Sequence, residues 1–73
     1  MVMEYNFKKI SERVKELRLE KNLSQAEFGK IMSVSQDTVS LWEKGKSLPN
    51  TEYIVKICLE FNVSANYILG FED

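Results

Sequence analysis

The residue types that most catalysis depends on are scarce in this chain. It has no histidine and a single cysteine, Cys58, among 73 residues. No serine or cysteine nucleophile has an imidazole to activate it, no glycine-rich phosphate loop occurs, and no pair of carboxylates is set apart by its context. One cysteine without histidine makes no zinc site and no internal disulfide, and its place on an apolar helical face reads as a buried core thiol. The sequence therefore points to no catalytic residue, no metal and no cofactor. What it does hold is a run of hydrogen-bonding side chains at two closely spaced helix starts, Ser24 and Gln25, then Gln36, Asp37 and Ser40, followed by Lys44 and Lys46. An amide donates and accepts, a carboxylate only accepts and an ammonium only donates, so the set suits recognition by hydrogen bonds and charge.

These side chains lie in one stretch, Leu23 to Gly45, which reads as two short helices across a tight turn. Ser24 stands three residues before Glu27, the capping-box spacing in which hydroxyl and carboxylate satisfy orphan amides at a helix start. The first helix spans about 24–32, with Ala26, Phe28, Ile31 and Met32 facing mostly one way. Ser35 caps a second helix over about 35–44. At about 100° per residue, Val39, Trp42 and Glu43 fall on one side of it while Asp37, Ser40, Leu41 and Lys44 fall on the other. One face packs and the other is presented.

Arg18, Leu23-Ser24-Gln25, Val34-Ser35, Val39-Ser40, Trp42-Glu43, Gly45, Pro49, Ile54, Ile57, Val63-Ser64 and Tyr67 to Gly70 together resemble the lambda-repressor and Cro-like helix-turn-helix family of XRE-type regulators. The resemblance implies an all-α, five-helix lambda-repressor-like DNA-binding domain whose second motif helix reads the major groove. It implies a sequence-specific transcriptional regulator, a repressor, with double-stranded DNA as partner. It also implies that Gln25 contacts backbone phosphate and buttresses Gln36.

The surrounding elements are those that must hold this motif. Asn6 is a candidate cap for a first helix in which Phe7, Ile10, Val14 and Leu17 form one apolar stripe. Arg18 falls inside that stripe, where an unpaired charge is costly. Glu43, on the packed side of its own helix, is the expected partner, and the family resemblance implies the same ion pair. Asn22 and Asn62 close helices where the family usually has glycine, which asparagine tolerates best among the other residues. Gly29, in mid-helix, points to a close approach to the third helix, beneath Trp42. Ser33 stands where the family's turn commonly has glycine, so a strained positive φ is expected there. After the loop ending at Pro49, Asn50 or Thr51 caps a fourth helix with Ile54, Ile57, Cys58 and Phe61 as its core stripe. Ser64 caps a fifth helix, Ala65 to Leu69, with Gly70 at its stop.

With the third helix in a groove, Gln36, Asp37, Ser40 and Leu41 are the candidate base contacts. Glutamine can bond adenine N6 and N7 together, and leucine can pack on a thymine methyl. Asp37 either accepts from cytosine N4 or serves only the helix dipole. Ser24 and Gln25, through helix-start amides, and Lys44 and Lys46, through charge, are the candidate backbone contacts.

Net charge is −1, short of the basic balance usual for a DNA binder. Residues 1–50 hold nine Lys/Arg against seven acids, whereas residues 51–73 hold one Lys against four, so the carboxyl-terminal end should face away from a polyanion. No arginine lies on the presented face, and one copy should bind weakly. A homodimer on half-sites roughly 34–36 Å apart is therefore expected, with Val2, Met3, Tyr5 and Phe71 available for a self-complementary patch. The 73 residues suffice for one domain, 1–73. No apolar run is long enough for a membrane span or leader, which points to the cytoplasm. The alternative function is a protein-interaction module on the same fold, such as an antitoxin or regulatory subunit, using the exposed Leu41 face.

Overall fold

A computed structural model describes residues 7–72, and within them every regular element is a helix: α1 Lys8–Glu20, α2 Gln25–Met32, α3 Gln36–Lys44, α4 Thr51–Phe61 and α5 Ala65–Leu69. Short polar side chains start four of the five. Ser24, Ser35, Asn50 and Ser64 each sit in extended backbone and accept from the amide three residues on, that of Glu27, Thr38, Tyr53 and Tyr67. Each such cap is worth about 1 kcal/mol against alanine. The first helix differs. Its cap position is Phe7, in helical backbone with no side-chain bond, and the expected cap Asn6 lies outside the described residues.

All five helices end alike. A left-handed residue directly follows α2 to α5, in turn Ser33, Gly45, Asn62 and Gly70, and after α1 it is Asn22, one residue beyond Lys21. The amide after it then closes on a carbonyl five residues back: Leu23 on Arg18, Val34 on Gly29, Lys46 on Leu41, Val63 on Cys58 and Phe71 on Asn66, at 2.8–3.2 Å. This double closure satisfies the orphan carbonyls of a helix end. Serine at φ 61° pays the left-handed strain that glycine at the same place avoids.

The core takes Ile10, Val14 and Leu17 from α1, Phe28 and Met32 from α2, Val39 and Trp42 from α3, Ile54 and Ile57 from α4 and Ile68 from α5. Phe28 stacks on Phe61 with centroids 5.3 Å apart, and Trp42 tilts against Tyr53 at 5.3 Å. These aromatic pairs brace α2 and α3 against α4. Arg13 lies over the Tyr67 ring and donates to the Glu72 carbonyl, and Glu72 accepts from Ser64, which ties the tail to α1 and to the start of α5.

Four expectations need correcting. Phe7, assigned to the α1 stripe, is 59% exposed, because α1 begins one residue later and its packed face opens at Ile10. Ala26 is exposed, since the packed face of α2 is the one that carries Phe28, Gly29 and Met32, its only buried residues. Cys58 is half-buried at the core's edge, and burial there pushes its thiol up from its usual range. Gly29 is close-packed against the turn, not against Trp42: a Cβ there would stand 2.7 Å from the Val34 carbonyl oxygen. The left-handed Ser33 folds the chain straight back over the last turn of α2, so backbone occupies the space a methyl would need. Val2, Met3 and Tyr5 lie outside the described residues.

Candidate nucleic-acid interface

The arrangement of α2 and α3 follows from their caps and from one buried ion pair. Ser24 and Glu27 exchange both bonds of a capping box, Glu27 N to Ser24 Oγ at 3.0 Å and Ser24 N to Glu27 Oε1 at 2.8 Å. The bonds from the Ser24 amide and hydroxyl hold the Glu27 carboxyl below its usual range. The Ser24 amide is thereby spent, which corrects the expectation that it is offered to a ligand. At the start of α2 the Gln25 and Ala26 amides have no partner among the described residues, and they are the donors this helix end presents.

Arg18 joins three elements at once. Its Nε donates to Glu43 Oε2 at 2.7 Å, its Nη2 to Glu43 Oε1 at 3.0 Å and its Nη1 to the Leu23 carbonyl at 2.8 Å. The two side chains are 10% and 4% exposed. A bidentate fork of this kind has geometric as well as energetic value: it pins the carboxyl-terminal half of α3 to α1 and to the loop entering α2. The hydrogen bond to Glu43 raises the Arg18 guanidinium further above its ordinary value, so it stays charged.

Gln25 completes the network. Its Nε2 donates to Glu43 Oε1 at 3.2 Å, and so it reaches Glu43, not Gln36 as expected. Gln36 lies seven residues earlier on α3, about 10 Å along the axis at 1.5 Å per residue. A charged acceptor also outcompetes a neutral amide for the same donor.

The presented face of α3 carries exposed Gln36, Asp37, Leu41 and Lys44, with Ser40 half-buried among them and exposed Lys46 just beyond. Val39 and Trp42 on the opposite face are 0% and 2% exposed. Ser35 accepts from the Thr38 amide and shares a second bond with its hydroxyl, so the amino-terminal turn of α3 is closed and Gln36 projects from it. Gly45, left-handed at φ 73°, ends α3 between Lys44 and Lys46. Lys56 of α4 reaches Ser33 in the turn at 3.4 Å. Nothing in the sequence marked that contact, because a lysine on an amphipathic helix shows no partner until the helix is packed. Among the described residues no group of histidine, cysteine or acids could hold a metal ion, and no helix is long and apolar enough to cross a membrane.

A helix-turn-helix family model matches residues 14–68, from the middle of α1 through α2, the turn, α3 and α4 into α5. The chain belongs to the helix-turn-helix family. Within it, the chain is 41% identical over 61 residues to the antitoxin PezA of Streptococcus pneumoniae, covering 84% of this chain and 39% of that protein. It is 35% identical over 71 residues to the HTH-type transcriptional activator BcrR of Enterococcus faecalis, covering 97% and 32%. The chain thus spans about a third of the length of these relatives. Its fold is shared with the P22 c2 repressor protein, solved in complex with synthetic operator 9T, at a TM-score of 0.78 and 26% identity, covering 96% of this chain and 100% of that one.

Proposed function

We propose that this chain is a sequence-specific DNA-binding transcriptional regulator, a repressor, that lays α3 in the major groove. The observation that carries the reading is the rigid pairing of a polar, outward face on α3 with open amides at the start of α2, both locked by the Arg18–Glu43 fork. The P22 c2 repressor, of the same fold, was solved on an operator, which supports DNA as the partner. Gln36, Asp37, Ser40 and Leu41 are the residues assigned to base edges. Gln25, Ser24, Lys44 and Lys46 are assigned to the backbone.

Two lysines form a small electrostatic footprint, and two copies on a two-fold operator are proposed to supply the rest, in the cytoplasm where the DNA is. Binding-site selection from randomised duplexes followed by a salt titration tests the reading. Groove binding through Lys44 and Lys46 predicts a log–log slope near −2 per bound copy, at about −0.9 for each phosphate neutralised. Failure to select any consensus, or a slope near zero, refutes it.

A second reading, a protein-interaction module, draws on Leu41, 43% exposed in the middle of the α3 face, and on the likeness to an antitoxin. It predicts that Leu41→Ala weakens a protein partner and leaves DNA affinity within twofold.

A further inference from the structure

Glu43 stands at the junction of three elements with its side chain 4% exposed, and the bonds it makes reach past the fold into the proposed interface. Oε2 accepts from Arg18 Nε. Oε1 accepts twice, from Arg18 Nη2 at 3.0 Å and from Gln25 Nε2 at 3.2 Å. A carboxylate only accepts, so the bond to Glu43 determines which way round the Gln25 amide sits: the nitrogen faces inward. A primary amide carries two N–H groups, and Glu43 uses one. The second remains on a helix start whose Gln25 and Ala26 main-chain amides are also unspent.

We propose that Glu43 is a positioning residue for DNA: through its bond to Gln25 it presents the second side-chain N–H, beside the open amides of α2, to one backbone phosphate. The inference rests on the reading of Gln25 as a backbone contact. Two physical features make the arrangement workable. A glutamine side chain ordered before binding has no rotamer freedom left to lose on contact. A bare carboxylate near a phosphate would repel it, and the bidentate Arg18 cancels that charge. The same fork that holds the helices together thus lets an acidic residue serve an anion-binding surface.

Affinity for a selected operator duplex, measured with the full chain, tests this. Gln25→Ala is compared in the native background and in Arg18→Met/Glu43→Met, where apolar side chains replace the ion pair without stranding a charge. The expected loss is about tenfold in the native background, the value of one hydrogen bond to a charged group, and under about twofold in the double-methionine background. A tenfold loss in both backgrounds overturns the positioning role while leaving the DNA reading intact. No loss in the native background removes the Gln25 contact itself, and the inference with it. The side-chain amide of Gln25 in the free native protein gives an independent readout that needs no variant. Its 15N relaxation should be that of an ordered group, unlike the amide of Gln36, which has no bond among the described residues. Equal mobility of the two amides overturns the proposal.

Discussion

Arg18→Ala should be among the most damaging single substitutions in this protein, and the structure says why. It removes two bonds from Glu43, at 2.7 and 3.0 Å, and a third from the Leu23 carbonyl at 2.8 Å. Glu43 would then keep only the neutral Gln25 amide while its side chain stays 96% enclosed. Breaking a buried pair by deleting one partner costs about 3–5 kcal/mol, because the remaining charge is left uncompensated. At roughly 0.05–0.15 kcal/mol per residue, a domain of this length has about 4–11 kcal/mol in all, so the variant should lie close to the unfolding threshold. Urea unfolding followed by Trp42 fluorescence reads the loss directly, provided the slope m is unchanged. Arg18→Met/Glu43→Met serves as the control, since an apolar pair of similar volume leaves no stranded charge and should recover most of the loss. A shift under about 0.5 kcal/mol for Arg18→Ala, the size seen for solvent-exposed pairs, would refute the argument. So would a double variant no better than the single one.

Gln36→Ala should leave stability unchanged and cost about 1–3 kcal/mol of operator affinity, with preference relaxed mainly at one base pair; Lys46→Ala should weaken all sequences alike and lower the salt slope by about one. Ser33→Gly should raise the urea midpoint by the equivalent of about 1 kcal/mol, since it relieves a left-handed serine and loses only an exposed 3.4 Å bond to Lys56. Gly29→Ala should lower it by about 1–3 kcal/mol, because a methyl 2.7 Å from the Val34 carbonyl must push the turn aside, and this outweighs the usual helix gain of 0.5–1 kcal/mol on replacing glycine. Glu27 has a folded-state pKa below its unfolded one, so its contribution is present above about pH 4.3 and is lost as pH falls through the lowered folded value. Glu27→Gln should therefore flatten the acid limb of stability against pH, and an unchanged limb would remove the capping box as its source.

Much of this protein was legible from sequence because its devices are local. Ser24, Ser35, Asn50 and Ser64 announce helix starts through bonds that span three residues. Asn22, Asn62, Gly45 and Gly70 announce helix stops through a single backbone conformation. The expected stripes in α3 and α4 correspond to buried Val39, Trp42, Ile54 and Ile57. Arg18 and Glu43 could be paired at a distance because a charge in an apolar stripe must find its opposite. Residues without so strict a demand carried no such signal. Gln25 bonds equally well to Glu43, to Gln36 or to water, and only the placement of α2 beside the far end of α3 decides for Glu43. Gly29 is silent in sequence about whether Trp42 or the Val34 carbonyl fills the space above it. The exposure of Ala26 and Phe7 likewise depends on where neighbouring helices end. Periodicity and capping are properties of one helix, governed by bonds between near neighbours in the chain. The angle at which two helices cross is settled by all the side chains between them, and so the chain alone determined which residues α3 carries while the packed structure decided what stands beside them.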